Sequence, residues 1–129
     1  NIGPSPEGEL SPVALQRLED IGEWMQINGD AIYGTRAVAP YKEGEVCYTR
    51  MPDSSINAIY LPVDTAASLP ATITIPSFAP RAGSAVTMLG VAEPITWEKT
   101  GDGCVIHVSD AIRDNPPCRY AWAFHFMPE

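Results

Sequence analysis

The clearest structural signal in this sequence is the segment Arg119-Tyr120-Ala121-Trp122-Ala123-Phe124-His125-Phe126. Bulky aromatic residues alternate in it with alanine and histidine, and a period of two is typical of a β-strand. Because one face is bulky and the other is mostly small, the segment predicts a central strand that is packed on both sides.

Upstream of this strand, the same period of two and the turn residues between segments predict a mainly β fold. The Gly101-Asp102-Gly103 segment is the strongest hairpin signal, because glycine and aspartate favour tight turns. Pro52-Asp53-Ser54 predicts another turn. Short antiparallel strands separated by such turns predict a β-sandwich. The six further predicted strands are Glu45–Arg50, Ile56–Leu61, Thr72–Ile75, Ala85–Leu89, Ile95–Lys99 and Cys104–Val108.

One α-helix is predicted ahead of the strands. Ser11-Pro12 is a helix start, with a hydroxyl at the N-cap and proline at the first helical position. Apolar residues then recur at helical spacing and predict one buried stripe. Asn28-Gly29 ends the helix and offers a residue for a left-handed cap. The first ten residues predict a loop, and the stripe consists of Leu15, Leu18, Ile21, Gly22 and Met25.

Composition limits the classes of partner. The chain has 129 residues, of which 45% are hydrophobic and 19% charged, as expected for one globular domain or for one domain with part of another. A net charge of −8, with only eight Lys and Arg, argues against nucleic-acid and anionic-membrane partners. No apolar run approaches the roughly 20 residues that span a bilayer.

The carboxylates do not form a predicted catalytic pair. Glu19 and Glu23 lie one turn apart on the side of the helix opposite the stripe, which favours a solvated face. Glu7 and Glu9 lie in a loop that cannot preorganise them, although a rim role stays open. Asp53 and Asp102 are turn residues, where aspartate is favoured by its backbone hydrogen bonds.

The histidines and cysteines predict no metal site and no cofactor. His107 and His125 are single histidines on different predicted strands, without a third ligand at metal spacing. Three cysteines with no Cys-x-x-Cys pair favour buried free thiols. A bridge between Cys104 and Cys118 stays open, because both flank the same predicted loop.

The three tryptophans are candidate sugar platforms, since an aromatic face can stack on a sugar ring. Trp122 lies in the most buried-looking strand and is expected in the core, and Trp24 on the helix is expected to form an interdomain contact. Trp97, between Thr96 and Glu98, is the best candidate for exposure, although a packed role is favoured even there.

Several motifs resemble the retaining α-L-fucosidases, a family of glycoside hydrolases, over nearly the whole chain. The opening Asn1-Ile2-Gly3-Pro4 resembles the segment after the last strand of the family's barrel. Ile21-Gly22-Glu23-Trp24-Met25 and Asn28-Gly29-Asp30-Ala31-Ile32-Tyr33-Gly34-Thr35 resemble its final barrel helix and exit. The sandwich motifs follow in order: Val86-Thr87-Met88-Leu89-Gly90, Ile95-Thr96-Trp97-Glu98, Gly101-Asp102-Gly103 and Tyr120-Ala121-Trp122. The sequence departs from the family at Asp53-Ser54-Ser55, where a glycine-bearing hairpin is usual.

The resemblance implies a fragment that braces a catalytic domain. Residues 1–36 would be the end of a catalytic (β/α)₈ barrel, with its final helix, and residues 37–129 a C-terminal β-sandwich domain. The stripe of the helix would cover the barrel wall, and without the barrel it would find another surface or stay exposed. The upstream barrel would be the partner, and a glycan with a terminal α-L-fucosyl group the substrate of the parent enzyme. The nucleophilic aspartate and the acid/base residue lie upstream of residue 1 in that family, so no catalytic or substrate-binding residue is expected here, and the chain alone is expected to be inactive.

Further expectations concern the parent protein, its location and the alternative functions of the chain. The first residue is asparagine and not methionine, which suggests that the chain begins inside a larger protein. The family resemblance suggests an extracellular, periplasmic or lysosomal location. Whether residues 1–36 are ordered without the barrel stays open. An independent carbohydrate-binding module, with an exposed aromatic strip, is the alternative function, and a purely structural sandwich is a third.

Overall fold

The computed structural model describes residues 2–129, so that Asn1, the first residue of the predicted opening loop, lies outside it. Residues 2–11 contain no helix or strand, as predicted. The helices are α1 (Pro12–Asn28), followed by a 3₁₀ turn (Gly29–Ala31), and α2 (Asp110–Asp114). The strands are β1 (Arg36–Glu43), β2 (Val46–Arg50), β3 (Ile56–Tyr60), β4 (Thr72–Ile75), β5 (Val86–Met88), β6 (Pro94–Thr100), β7 (Gly103–His107) and β8 (Trp122–Phe126).

The strands form one antiparallel sheet in the order β1-β2-β3-β8-β5-β6-β7-β4. The long strand β6 pairs with β5 at its start and with β7 along the rest of its length, so it passes from one half of the sheet to the other. The two ends meet, because the Ser77 hydroxyl after β4 donates to Glu43 at the end of β1, at 2.6 Å. The predicted mainly β, antiparallel fold is confirmed. The two layers of the predicted sandwich are the two halves of one curled sheet.

Strand β8 lies at the centre of the sheet, between β3 and β5, and confirms the strand prediction. Its bulky face, Trp122, Phe124 and Phe126, lies in the main core. On the opposite, outer face Ala123 is fully buried in a second cluster together with Ile59 and Ala31. Both faces of β8 are therefore covered, and small residues on the outer face leave room for a helix.

Helix α1 begins as predicted, with the Ser11 hydroxyl accepting from the Ala14 amide at 3.1 Å. The predicted left-handed cap at its end is wrong. Gly29 has a right-handed φ of −55°, and the chain continues into the 3₁₀ turn. The left-handed glycine is Gly34, with φ of 72°, where the chain turns into β1.

Two elements escaped the sequence prediction. Strand β1 contains Pro40, and its register shifts between Ala37 and Lys42, which an edge strand tolerates because its outer side carries no ladder. Its side chains are mostly exposed, so it has no period of two. Helix α2 has five residues, too few to show a helical period.

The last predicted strand begins later than expected. Tyr120 has a left-handed φ of 79° and a half-exposed side chain, so residues 119–121 form a turn before β8. The predicted hairpin at Gly101-Asp102-Gly103 is confirmed, with Thr100 and Gly103 facing each other as the closing pair. Neither helix among residues 2–129 combines the length and the apolar character that crossing a membrane requires.

Candidate functional site

The carboxylates on the opening loop and on α1 are exposed to solvent. Glu7, Glu9 and Glu19 are exposed, as is Glu23, whose nearest cation is Arg119 at 3.9 Å. None of them faces a partner carboxyl in an enclosed site. A retaining glycosidase needs two carboxyl groups about 5 Å apart in such a site, one as nucleophile and one as acid/base.

Asp53 and Asp102 lie in turns, as predicted for them. Asp53 accepts hydrogen bonds from both the backbone amide and the hydroxyl of Ser55. These bonds hold the pKa of the Asp53 carboxyl below its usual value, because they favour the charged form. Ser54, between Asp53 and Ser55, has a left-handed φ of 74°, a backbone conformation that favours glycine. Asp102 is exposed in the β6–β7 turn.

The two histidines lie in separate surroundings. His107 Nε2 is 3.4 Å from a Glu98 carboxylate oxygen on the neighbouring strand β6. His125 Nδ1 lies 2.9 Å from the side-chain oxygen of the buried Asn57, whose amide donates to Thr49 at 3.0 Å. Within residues 2–129, no three His, Cys, Asp or Glu side chains form a group able to hold a metal ion.

Two carboxylates that sequence reasoning missed flank the β1–β2 turn. Glu43 accepts from the Tyr48 hydroxyl at 2.7 Å and from Ser77, while Glu45 accepts from the Tyr60 hydroxyl at 3.1 Å and from the Val63 amide at 2.8 Å. Burial, and then the hydrogen bond to a carboxylate, raise the pKa of both tyrosines. These hydrogen bonds make the two carboxylates clamps between segments. Glu43 joins β1 to β2 and to the segment after β4, and Glu45 joins the β1–β2 turn to the end of β3.

None of the three tryptophans is exposed. Trp122 is 3% exposed in the core and donates its indole N–H to the Cys118 carbonyl at 3.0 Å, as expected of a core residue. Trp97 is half-buried and packs against the main core, which matches the packed role favoured for it. An exposed aromatic strip, which a carbohydrate-binding module would need, is therefore not formed by these residues.

All three cysteines are free thiols, and Cys104 is not paired with Cys118. Burial raises the pKa of Cys104 to about 11, so it stays protonated at neutral pH. Burial also raises the pKa of Cys118, partly offset by a hydrogen bond from Asn28.

The second half of α1 is anchored to the sheet. The Trp24 indole N–H donates to the Ala121 carbonyl at 2.9 Å, and the same oxygen accepts from the Cys118 thiol at 3.1 Å. Asn28 is fully buried, and its amide donates to the Trp24 carbonyl at 3.2 Å and to the Cys118 sulfur at 3.4 Å. Residues 1–36 thus include a helix held on the sheet without a barrel. The contact expected of Trp24, from the helix in residues 1–36 to residues 37–129, is thus present within this chain.

The helix turns a different face to solvent. Leu15, Leu18 and Ile21 of the predicted buried stripe are 47%, 43% and 58% exposed. At 3.6 residues per turn the centre of this stripe lies roughly 100° around the helix from Trp24 and Asn28. Without a barrel wall these side chains of the stripe stay exposed, which is one of the two outcomes expected for it, and Met25 is half-buried. Polar and aromatic groups on another face anchor the helix.

A groove runs beside the stripe, between α1 and the outer face of the sheet. Its volume is about 680 Å³. We call it the α1 groove. It is lined by Arg17, Asp20, Ile21, Trp24, Ile32, Cys47, Ile59, Leu61, Thr65, Tyr120 and Ala121. Most of these side chains are apolar, and Ile21 belongs both to the groove and to the stripe.

Known proteins match this chain along most of its length. Residues 41–127 match the α-L-fucosidase C-terminal domain family, and residues 1–30 match the α-L-fucosidase family. The α-L-fucosidase of Branchiostoma floridae is 38% identical over 126 residues, which cover 95% of this chain and 27% of that protein. Human plasma α-L-fucosidase is 29% identical over 132 residues, which likewise cover 95% of this chain and 27% of that protein. The chain therefore spans about a quarter of the length of these relatives.

Solved structures share the fold. The Thermotoga maritima α-fucosidase in complex with fucose has a TM-score of 0.71 at 26% identity, over 96% of this chain and 29% of that one. The α-L-fucosidase isoenzyme 1 of Paenibacillus thiaminolyticus has a TM-score of 0.73 at 22% identity, over 100% of this chain and 30% of that one.

The curled antiparallel sheet with a helix on its outer face is the fold that this chain shares with part of a glycoside hydrolase. The matched residues specify which one. This chain belongs to the α-L-fucosidase C-terminal domain family, and the part of those enzymes that carries their catalytic domain is absent from it.

Proposed function

We propose that this chain forms the C-terminal part of an α-L-fucosidase, where it braces a catalytic (β/α)₈ barrel that hydrolyses terminal α-L-fucosyl linkages of glycans. Residues 1–36 would complete the barrel, and residues 37–129 would form the bracing domain. The chain itself supplies no catalytic carboxylate.

The exposed stripe of α1 carries this proposal. Leu15, Leu18 and Ile21 lie within residues 1–30, the part that matches the α-L-fucosidase family and not its C-terminal domain family. Contiguous apolar surface on a folded domain marks a site of association, because exposing it to water is unfavourable. A barrel wall of the same polypeptide is the surface that such a helix would cover.

A chimeric enzyme tests the proposal. This chain would replace the corresponding C-terminal part of the Branchiostoma floridae α-L-fucosidase, and hydrolysis of 4-nitrophenyl α-L-fucoside would be measured. We expect the chimera to turn over this substrate and the isolated 129-residue chain to show no turnover. Turnover by the isolated chain, or a folded chimera without activity, would contradict the proposal.

A further inference from the structure

The α1 groove is an open apolar site next to the stripe. Ile32 and Leu61 line it and are 41% and 47% exposed, and Ile21 at its junction with the stripe is 58% exposed. The buried Ile59 and half-buried Trp24 lie beside them. The groove is large enough for one or more side chains from another surface, since it measures about 680 Å³.

Two charged residues, Asp20 and Arg17, line the groove, and they differ in their partners within the chain. Asp20 is already engaged, because Arg119 lies 3.5 Å away and the Gln16 amide donates to it at 3.1 Å. Arg17 lines the same groove, and no carboxylate of residues 2–129 lies within ion-pair distance of its guanidinium. An arginine beside an apolar site favours a carboxylate on whatever fills that site, because the guanidinium binds carboxylates in a bidentate geometry.

Two observations favour the catalytic domain of the same polypeptide as the occupant of the groove. The match to the α-L-fucosidase family ends at residue 30, in the 3₁₀ turn that precedes Ile32 of the groove. About three quarters of the length of the Branchiostoma floridae relative lies outside the matched 27%, so a catalytic domain would adjoin this surface. Since the groove and the stripe share Ile21, a body that covers the stripe also reaches the groove.

We propose that the α1 groove receives an apolar side chain, accompanied by an Asp or Glu that pairs with Arg17, from the catalytic domain of the same polypeptide. This inference rests on the proposed function and adds that the domain interface extends from α1 onto β2 and β3. The sheet then fixes the angle at which the catalytic domain sits, because a contact on two elements removes the freedom to rotate about one helix.

Cys47 reports on the groove directly, since it lines the groove and is a half-buried free thiol. Maleimide labelling of Cys47 would be followed by peptide mass spectrometry in the isolated chain and in the active chimera. We expect labelling to be at least about tenfold slower in the chimera. The control is Asp102→Cys in a Cys47→Ser background, because residue 102 is exposed in the β6–β7 turn, and this thiol should react equally fast in both proteins.

Two substitutions in the chimera separate the apolar and the charged contacts. Leu61→Asp is expected to restore at least half of the Cys47 labelling rate. Arg17→Gln is expected to shorten the half-life of activity on heating by about three- to tenfold at low salt and by less at high salt. Arg81→Gln, on an exposed arginine outside the groove, should leave the half-life unchanged.

The outcomes distinguish the two proposals. An active chimera in which Cys47 labels as fast as in the isolated chain overturns the groove inference and leaves the proposed function standing. A folded but inactive chimera overturns both. Protection of Cys47 that is already present in the isolated chain and disappears on dilution assigns the groove to a second copy of this chain and likewise overturns the inference.

Discussion

Gly103 is the glycine at which the curled sheet leaves the least room for a side chain. A β-carbon there would lie 2.0 Å from the Ile75 carbonyl oxygen and 2.5 Å from that of Pro76. Both oxygens belong to the backbone where β4 ends against β7, so neither can rotate away. Glycine is required at this position for its missing side chain, although its φ is not left-handed.

Gly103→Ala is therefore expected to destabilise the chain by at least about 2 kcal/mol, because β4 must move away from β7. Urea unfolding followed by tryptophan fluorescence measures the change. Gly22→Ala is the control, because beyond its chain neighbours and the backbone of α1 no atom lies within 4 Å of a β-carbon added there. The helix also gains helix propensity, worth about 0.5–1 kcal/mol of stability. Equal stabilities of the two variants would refute this account of Gly103.

Asp53 makes stability depend on pH at its turn. Its folded-state pKa is lowered by the hydrogen bonds from Ser55. The charged form therefore stabilises the fold above the unfolded pKa, and this stabilisation disappears as pH falls through the lower folded value.

Comparison of the wild type with Asp53→Asn tests this sign. We expect the wild type to be the more stable protein at pH 6, and the difference to shrink as pH falls below about 4, the region of an ordinary aspartate pKa. Thermal unfolding at several pH values measures it. A difference that stays constant down to pH 2 would show that the charge of Asp53 has no part in the turn.

At the scale of elements, α1 is held by a few polar contacts on one face. Trp24 and Asn28 bond to Ala121 and Cys118, which lie just before β8. Tyr120 and Arg119, between those two residues, approach Asp20. Gly90 lets Ile27 of α1 and Pro117 pack closely against the chain after β5, because a β-carbon at residue 90 would lie 2.8 Å from Ile27 and 2.7 Å from Pro117. Helix position thus depends on residues more than 60 positions away in the chain.

Trp24→Phe removes the indole hydrogen bond and part of the ring and is expected to cost about 1–2 kcal/mol. Because the contact lies between α1 and the sheet, hydrogen exchange should accelerate in α1 amides and stay slow in β3 and β8. Trp97→Phe is the matched control, since Trp97 packs on the main core away from α1 and should leave α1 exchange unchanged. Equal acceleration in α1 and β8 would show that the helix and the sheet unfold as one unit.

At the scale of the whole molecule, the stripe on α1 has no partner within this chain. Leu18 is 43% exposed, so Leu18→Asp is expected to change the stability of the isolated chain by no more than about 0.5 kcal/mol. In the chimeric α-L-fucosidase the same change would bury a carboxylate against apolar surface and is expected to cost about 2–3 kcal/mol.

Unfolding of both proteins in urea, with activity as the probe for the chimera, measures this difference. Gln16→Asp places the same carboxylate on the opposite side of α1, where Gln16 is exposed. Because it also removes the hydrogen bond from Gln16 to Asp20 and sets two carboxylates one turn apart, it should cost about 0.5–1 kcal/mol, equally in both proteins. Similar costs of Leu18→Asp in the isolated chain and in the chimera would mean that the stripe does not face the catalytic domain.

The sequence alone determined the features that depend on neighbours in the chain. The Ser11 cap, the alternation in Trp122–Phe126 and the tight turn at Gly101-Asp102-Gly103 are local, and each predicted its element. The family motifs add the class of protein, because they carry specific residues at fixed spacing. The exposed residues of β1 lack a period, and α2, although capped by Ser109, is shorter than two turns and too short to show a helical period.

Only the tertiary structure decided which face of α1 packs on the sheet. The helical period of Leu15, Leu18 and Ile21 correctly identifies an apolar face, but a period cannot say what covers that face or whether the same chain covers it. Contacts across long sequence distances, from Trp24 to Ala121 and from Asn28 to Cys118, settle the orientation. The groove and the clamps at Glu43 and Glu45 arise in the same way, because they exist only where the sheet has curled and brought distant segments together.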